Sequence, residues 1–185
     1  MTGGQTGILH WRFVALPVLA FLTASGAPRT AVAQAPAEKC AGHAAFTRLD
    51  FWLGDWVVFV GAQQVGENRI QKVQDGCAIT EQWRAAGGGT GQSLFYVHPA
   101  DLKWRQVWVT AGALSPGGVK EKQEADLVGP GMRFQGTVSD TAGRQWLDRT
   151  TLTPNPDGSV RQHIEISSDR GATWRTTFDA TYKRR

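Results

Sequence analysis

A carboxylate set between apolar neighbours is the clearest offer of chemistry in this chain. In Ala78-Ile79-Thr80-Glu81-Gln82-Trp83, strand alternation puts Glu81 on the same side as Ile79 and Trp83. Desolvation disfavours the charged form of such a group and moves its pKa toward the range of a general acid or base. That chemistry would serve a hydrolase or an isomerase. The competing reading is a salt bridge: Arg149 alternates with Leu147 and is expected to enter the same interior. Other polar residues share faces with bulky apolar ones. Gln106 lies between Trp104 and Trp108, and Gln162 between Val160 and Ile164. Gln123 is expected to face inward too, and Glu121 joins it if Val119 and Ala125 point that way. A packed core seldom holds so many polar groups, because each needs a partner. A barrel around a partly wet cavity accommodates them, whereas a one-residue register slip would turn them outward.

The remaining chemistry is sparse. No G-x-S-x-G, H-E-x-x-H, Walker or dinucleotide fingerprint occurs. Gly87-Gly88-Gly89-Thr90-Gly91 has no following Lys and helix, so it reads as a flexible turn and not a phosphate cradle. His43, His98 and His163 lack a convincing ligand partner at i+2 or i+4. His163 with Glu165 is the nearest pair, and Arg161 on the same face makes it a solvated charged strip. No metal is expected.

The elements that must position these residues are short strands. From Asp55 onward, alternating runs such as DWVVFVG, AITEQWRA, GQSLFYVH, WRQVWVTA and TWRTTFDATYK are divided by Gly, Pro, Asn and Asp. The dividers include Asp75-Gly76, Pro116-Gly117-Gly118, Pro130-Gly131 and Asn155-Pro156-Asp157-Gly158, in which Gly supplies positive φ and Pro presets the turn. About ten such strands with no long 3.6-residue period predict an all-β, antiparallel up-and-down barrel. Its last strand is expected to present Trp174, Thr176, Phe178, Ala180 and Tyr182 on one face. Before the first strand, Phe46, Leu49, Trp52 and Leu53 fall at helical spacing and predict a short helical turn plugging one end.

The start of the sequence reads as a leader. His10 and Arg12 precede the apolar run Phe13 to Ala24, and Ala31-Val32-Ala33 offers a cleavage site before Gln34. Residues 1–33 read as a signal peptide, 34–45 as an extension and 46–185 as the barrel domain. The expected product is exported, periplasmic or secreted. Twelve apolar residues broken by Pro17 are too few to span a bilayer, so no stable membrane insertion is expected. Of 20 basic and 16 acidic residues, the leader holds Arg12, Arg29 and no acid, so the formal charge falls from +4 to +2 on cleavage. That low, dispersed charge and export argue against a nucleic-acid partner. Leu, Ile, Val and Phe are scarce, and seven Trp after the leader supply apolar area instead. In an oxidising compartment Cys40 and Cys77 are read as a disulfide, with two buried thiols as the alternative.

The run Leu49-Asp50-Phe51-Trp52-Leu53-Gly54-Asp55-Trp56 resembles the opening of an uncharacterised family of bacterial exported proteins with lipocalin-like, calycin-type barrels. The likeness extends through Gly66-x-Asn68, Gly76-Cys77, Glu81-x-Trp83 and Trp104-x-Gln106-x-Trp108-Val109. It continues to the segment from Pro156 to Trp174, so that it covers most of residues 46–182. That family has no established reaction, so the resemblance implies a fold only. Gly54-x-Trp56 is also similar to the G-x-W of lipocalins. There the Trp closes the barrel floor, which implies a structural role for Trp56 with a late Arg such as Arg175 stacked nearby. Ser167-x-Asp169-x-Gly171-x-x-Trp174 resembles the Asp-box hairpin of sialidases and related propellers. A propeller needs one copy per blade, so Asp169, Gly171 and Trp174 read as a structural turn. Nitrobindin-type barrels bind haem through a late His; His163 is the only candidate, although Ile164 and Ile166 claim the inner face.

The reading that follows is non-catalytic binding of a small amphipathic ligand. Trp83, Phe95, Trp104, Trp108, Phe134 and Phe178 are expected to line its cavity, and Glu81, Gln106 and Gln162 to orient its polar end. The alternatives are a hydrolase or isomerase using Glu81, and a cavity-free structural or interaction module.

Overall fold

A computed structural model describes Met1 and residues 40–185; apart from Met1, the expected leader over residues 1–33 lies outside the described residues. Ten strands run β1 Gly54–Val60, β2 Gln63–Val73, β3 Ala78–Ala85, β4 Thr90–His98, β5 Lys103–Thr110, β6 Val119–Val128, β7 Gly131–Ser139, β8 Gln145–Pro154, β9 Val160–Ser167 and β10 Arg175–Arg184. Each pairs antiparallel with its sequence neighbours, and β1 pairs with β10, so the sheet closes. This is the all-β up-and-down barrel that the turn chemistry predicts. Closure leaves no unpaired sheet edge. The outer wall carries cross-strand ion pairs, among them Arg69–Asp55, Arg161–Asp179 and Arg185–Glu67. No helix among the described residues is long and apolar enough to cross a membrane.

One end of the barrel is filled by the chain that precedes it. The helical segment is not continuous: α1 covers Ala44–Thr47 and a separate 3-10 turn covers Asp50–Trp52. His43 caps α1, its Nδ1 accepting from Ala45 N at 3.1 Å. Leu49 and Trp52 are buried among Phe95, Phe134 and Tyr182, with Trp52 edge-on to Phe95 at 5.3 Å between ring centroids. Trp104 Nε1 donates to Ala45 O at 2.9 Å, so a barrel wall residue holds the plug. Arg48 reaches Glu124 at 2.5 Å and Leu102 O at 2.7 Å from the other side. A Cys40–Cys77 disulfide then ties the start of the plug to the β2–β3 connection.

Trp56 sits in that floor, fully buried, with Nε1 donating to Trp52 O at 3.0 Å. The guanidinium stacked on it belongs to Arg184, 4.6 Å from the ring centroid, and not to Arg175, which is exposed. Strand pairing explains the difference, because Arg184 is the direct partner of Trp56 across β1–β10. Gly54 leaves room for this: a Cβ there would lie 2.7 Å from Arg184.

A bulge in β10 and the orientation of β6 alter the expected faces. An extra residue at Thr177 shifts the β9–β10 register between Thr176 and Phe178. Phe178, Ala180 and Tyr182 therefore face inward, while Thr176 turns outward to His163 at 3.0 Å and Trp174 packs on the outside under Arg149 at 3.8 Å. The segment Ser167–Trp174 forms the β9–β10 hairpin: Asp169 accepts from Ser167 Oγ, Thr173 N and Thr173 Oγ1, while Gly171 has φ +94°. In β6, the face opposite to the expected one points inward. Lys122 and Glu124 are buried, and Glu121 and Gln123 are exposed.

Candidate functional site

The end opposite the plug contains a cavity of about 290 Å³. Trp83, Trp108, Phe178 and Ile164 form its apolar wall; Glu81, Gln106, Gln162, Tyr182, Thr150, Lys120 and Lys122 form its polar one. Trp83 and Phe178 meet edge-on with centroids 6.5 Å apart. The two tryptophan rings lie over glycines of adjacent strands. A Cβ at Gly66 or Gly91 would come within 2.4 Å of the Trp83 or Trp108 ring, respectively. The cavity is at the small end of the range for ligand sites. Two larger depressions, of about 790 and 550 Å³, are lined mainly by outward residues such as Arg69, Gln82 and Arg84 or Arg105, Gln123 and Gln135. They have volume without convergent chemistry.

Below the aromatic wall runs a belt of buried hydrogen bonds crossing β5, β4, β3, β2, β10 and β9. Gln106 Nε2 donates to Ser93 Oγ at 3.1 Å, and Ser93 Oγ donates to Glu81 Oε2 at 2.6 Å. Asn68 Nδ2 donates to Glu81 Oε1 at 2.7 Å and approaches Tyr182 OH at 3.4 Å; Tyr182 OH donates to Gln162 Oε1 at 2.6 Å. Glu81 thus has both oxygens occupied by neutral donors. Gln106 Oε1 and Asn68 Oδ1 are buried without a protein partner among the described residues. Such an acceptor costs about 1–3 kcal/mol unless something donates to it.

Opposite the belt, Lys122 Nζ donates to Asp148 Oδ1 and, at 2.6 Å, to Thr150 Oγ1. Lys120 Nζ donates to Asp148 Oδ2 at 2.7 Å. The lysines come from β6 and the aspartate from β8, with β7 between them. Gly136 on β7 pairs with Asp148, and a Cβ there would lie 2.0 Å from Glu121 O. A glycine at this position lets the strands approach and leaves nothing between Lys122 and Asp148.

The expected partner of Glu81 is elsewhere. Arg149 faces outward and binds Glu165 through Nε at 2.7 Å and Nη2 at 3.0 Å. Leu147 beside it suggested an inner face, but Leu147 packs against the outside, near Gly171 of the hairpin. The cation that acts on Glu81 is Lys122. Burial pushes the Glu81 carboxyl above 4.5, and Ser93, Asn68 and Lys122 offset this only in part. Burial likewise lowers Lys122 from 10.5 to about 8, with Lys120 adding repulsion and Asp148 opposing both. Tyr182 is pushed up by burial and by Glu81.

The Glu81 shift has a stability consequence of fixed sign. A carboxyl whose pKa is raised on folding stabilises most below its unfolded value, and this is lost as pH rises through the folded value. Glu81→Gln is therefore expected to match the wild type most closely at acid pH and to gain on it steadily above pH 4.5. Urea unfolding of both proteins across pH measures the gap. A gap that stays constant would show that burial of Glu81 charge does not govern it.

Six of the nine expected ligand-binding residues line the cavity: Glu81, Trp83, Trp108, Gln106, Gln162 and Phe178. Phe95, Trp104 and Phe134 lie in the core around the plug instead. Lys120, Lys122, Asp148, Thr150, Asn68, Ser93 and Tyr182 were not among the expected site residues. Their signal was the inward alternation of neighbouring strands, which fixes β6 and β8 only once register is known. His163 is outside, 3.6 Å from Glu165, and among the described residues no His, Cys or Met lines the cavity. The residues present do not fit the haem arrangement implied by nitrobindin-type barrels. No group of three metal-ligating side chains occurs among the described residues. No protein-family model and no curated protein matches this chain.

Proposed function

We propose that the protein binds one small amphipathic molecule in the open end of the barrel and does so outside the cytoplasm. The carrying observation is the pairing of an aromatic wall, Trp83, Trp108 and Phe178, with a buried acceptor, Gln106 Oε1, that no donor among the described residues meets. A ligand placing its apolar part on the rings and a donor on Gln106 would satisfy both. Glu81 holds the belt in place; with Asn68 and Ser93 on its two oxygens it orients and does not attack. The leader-like start, the disulfide and the resemblance of the opening segment to exported lipocalin-like proteins support a site of action in an oxidising compartment.

Native mass spectrometry of the full chain, expressed with its leader and purified without denaturant, tests this reading. The expected result is a non-covalent adduct that disappears on denaturation and is recovered in the solvent extract. Trp108→Ala is expected to reduce the adduct by about tenfold, a loss of about 1.4 kcal/mol. A bare chain, with tryptophan fluorescence unresponsive to a panel of small aromatic alcohols and acids, would overturn it.

A further inference from the structure

Two lysines enter the cavity from one strand. Lys120 and Lys122 lie two residues apart on β6, and both line the cavity, Lys122 with only 2 % of its side chain exposed. An ammonium carries three N–H donors. Lys122 has acceptors for two, Asp148 Oδ1 and Thr150 Oγ1. A neutral amine satisfies both and keeps its lone pair on the cavity wall. A lysine becomes a nucleophile when it is desolvated or placed beside another cation, and here both conditions meet.

We propose that Lys122 forms a reversible imine with a small unsaturated or aromatic aldehyde or ketone bound in the cavity. The inference rests on the binding reading above and names its ligand class. The Nζ lone pair attacks the carbonyl carbon while the carbonyl π pair moves to oxygen. Oxygen takes up the proton that nitrogen sheds, giving a carbinolamine. The hydroxyl then takes a second proton from water, the C–O bond breaks as water leaves, and the nitrogen lone pair closes the C=N bond as an iminium. Its remaining N–H proton passes to Asp148 and on to water to give the imine. Amine and carbonyl become imine and water, with no oxidant or reductant. Asp148, which accepts from Nζ, is placed to hold the transferred proton and to face the iminium as counter-ion. Lys120 keeps the other oxygen of Asp148 in place. Trp83, Trp108 and Phe178 supply the wall for the unsaturated part.

Four titratable groups surround this amine: Lys120 on its own strand, Asp148 on β8, Glu81 on β3 and Tyr182 on β10. Their balance with burial leaves Lys122 at about 8. A drop of more than two pKa units raises the neutral fraction of an amine near pH 7 more than about a hundredfold.

The test uses the full chain with cinnamaldehyde and cyanoborohydride, followed by peptide mapping. The expected product is Lys122 heavier by the aldehyde less one oxygen atom, formed at least about tenfold faster than on the exposed Lys103 and Lys183. Its rate is expected to level off above about pH 8, while the surface lysines keep rising. Lys122→Arg should abolish the modified peptide; if that variant does not fold, the wild-type map decides. Cinnamyl alcohol, which lacks the carbonyl, separates binding from bond formation. Tryptophan quenching by the alcohol with no preferential labelling of Lys122 overturns the imine and leaves the binding reading standing. Neither quenching nor labelling overturns both.

Discussion

Replacing Cys40 and Cys77 together by Ser is expected to lower the unfolding free energy by about 4 kcal/mol, the chain-entropy value for a loop of 37 residues. That loop holds the plug, β1, β2 and the turn into β3, so the cross-link removes freedom from the segment that must find the barrel floor. Non-covalent contacts on the plug remain in the variant: Trp52 against Phe95, Trp104 Nε1 on Ala45 O, Arg48 on Glu124, and Lys72 on Asp50 at 2.7 Å. The native fold should therefore persist, with its melting midpoint lowered by about 10 °C, since each kcal/mol moves a domain of this size about 2–4 °C. Urea titrations of the wild type with and without reductant, beside the double Ser variant, give the number directly. A loss under about 1 kcal/mol would mean that the unfolded chain already keeps the plug near β2, because only a structured reference state cancels loop entropy.

The turns made the fold legible. Gly, Pro, Asn and Asp separate alternating runs, and each run corresponds to a strand of the barrel. Only β2 begins well before its run, at Gln63, because Gln63, Gln64 and Gly66 carry no strand signal. Leu49 and Trp52 at helical spacing marked the plug, and Gly54-x-Trp56 marked the floor. Half of the cavity was legible for the same reason: on β3, β5 and β9 a polar residue sits between bulky ones, so its face is labelled by its neighbours. On β6 that label is missing. Lys120-Glu121-Lys122-Gln123-Glu124 is polar on both faces, and its orientation is set by pairing with β5, where Gln106 faces Lys122. On β8 the label misled. Leu147 looks like a core residue, yet it is covered from outside by the β9–β10 hairpin. Trp174 was misplaced by the bulge at Thr177, which a single sequence does not announce. Residues whose faces depend on register or on a folded-back turn were the ones missed, and they include the charged half of the site.

That charged half makes Asp148→Asn the most costly single substitution expected here, at about 3–5 kcal/mol near neutral pH. The amide fits the space but removes the counter-charge from Lys122, which has 2 % of its side chain exposed and, among the described residues, no second carboxylate in hydrogen-bonding contact. Lys120, 18 % exposed, can swing toward water; Lys122 cannot. Two titrations set the pH dependence. Burial raises the Asp148 carboxyl, but Lys122 and Lys120 more than offset it, so its folded value lies below 3.8. The stability it contributes is present above that pH and is lost as pH falls through the folded value. Lys122 already falls from 10.5 to about 8, and loss of Asp148 lowers it further. An amine depressed on folding costs most while it is charged in both states, and the cost is relieved as pH rises toward 10.5. The penalty of Asp148→Asn should therefore be greatest near about pH 6 and clearly smaller near about pH 9, where a neutral Lys122 needs no counter-ion. Adding Lys122→Met to Asp148→Asn should restore part of the loss, because it removes the stranded amine and leaves an apolar side chain of similar length. Urea unfolding of the three variants at both pH values decides the matter. An equal penalty at the two pH values, or a further loss on adding Lys122→Met, would show that Asp148 acts through packing and not as the counter-ion of a buried lysine.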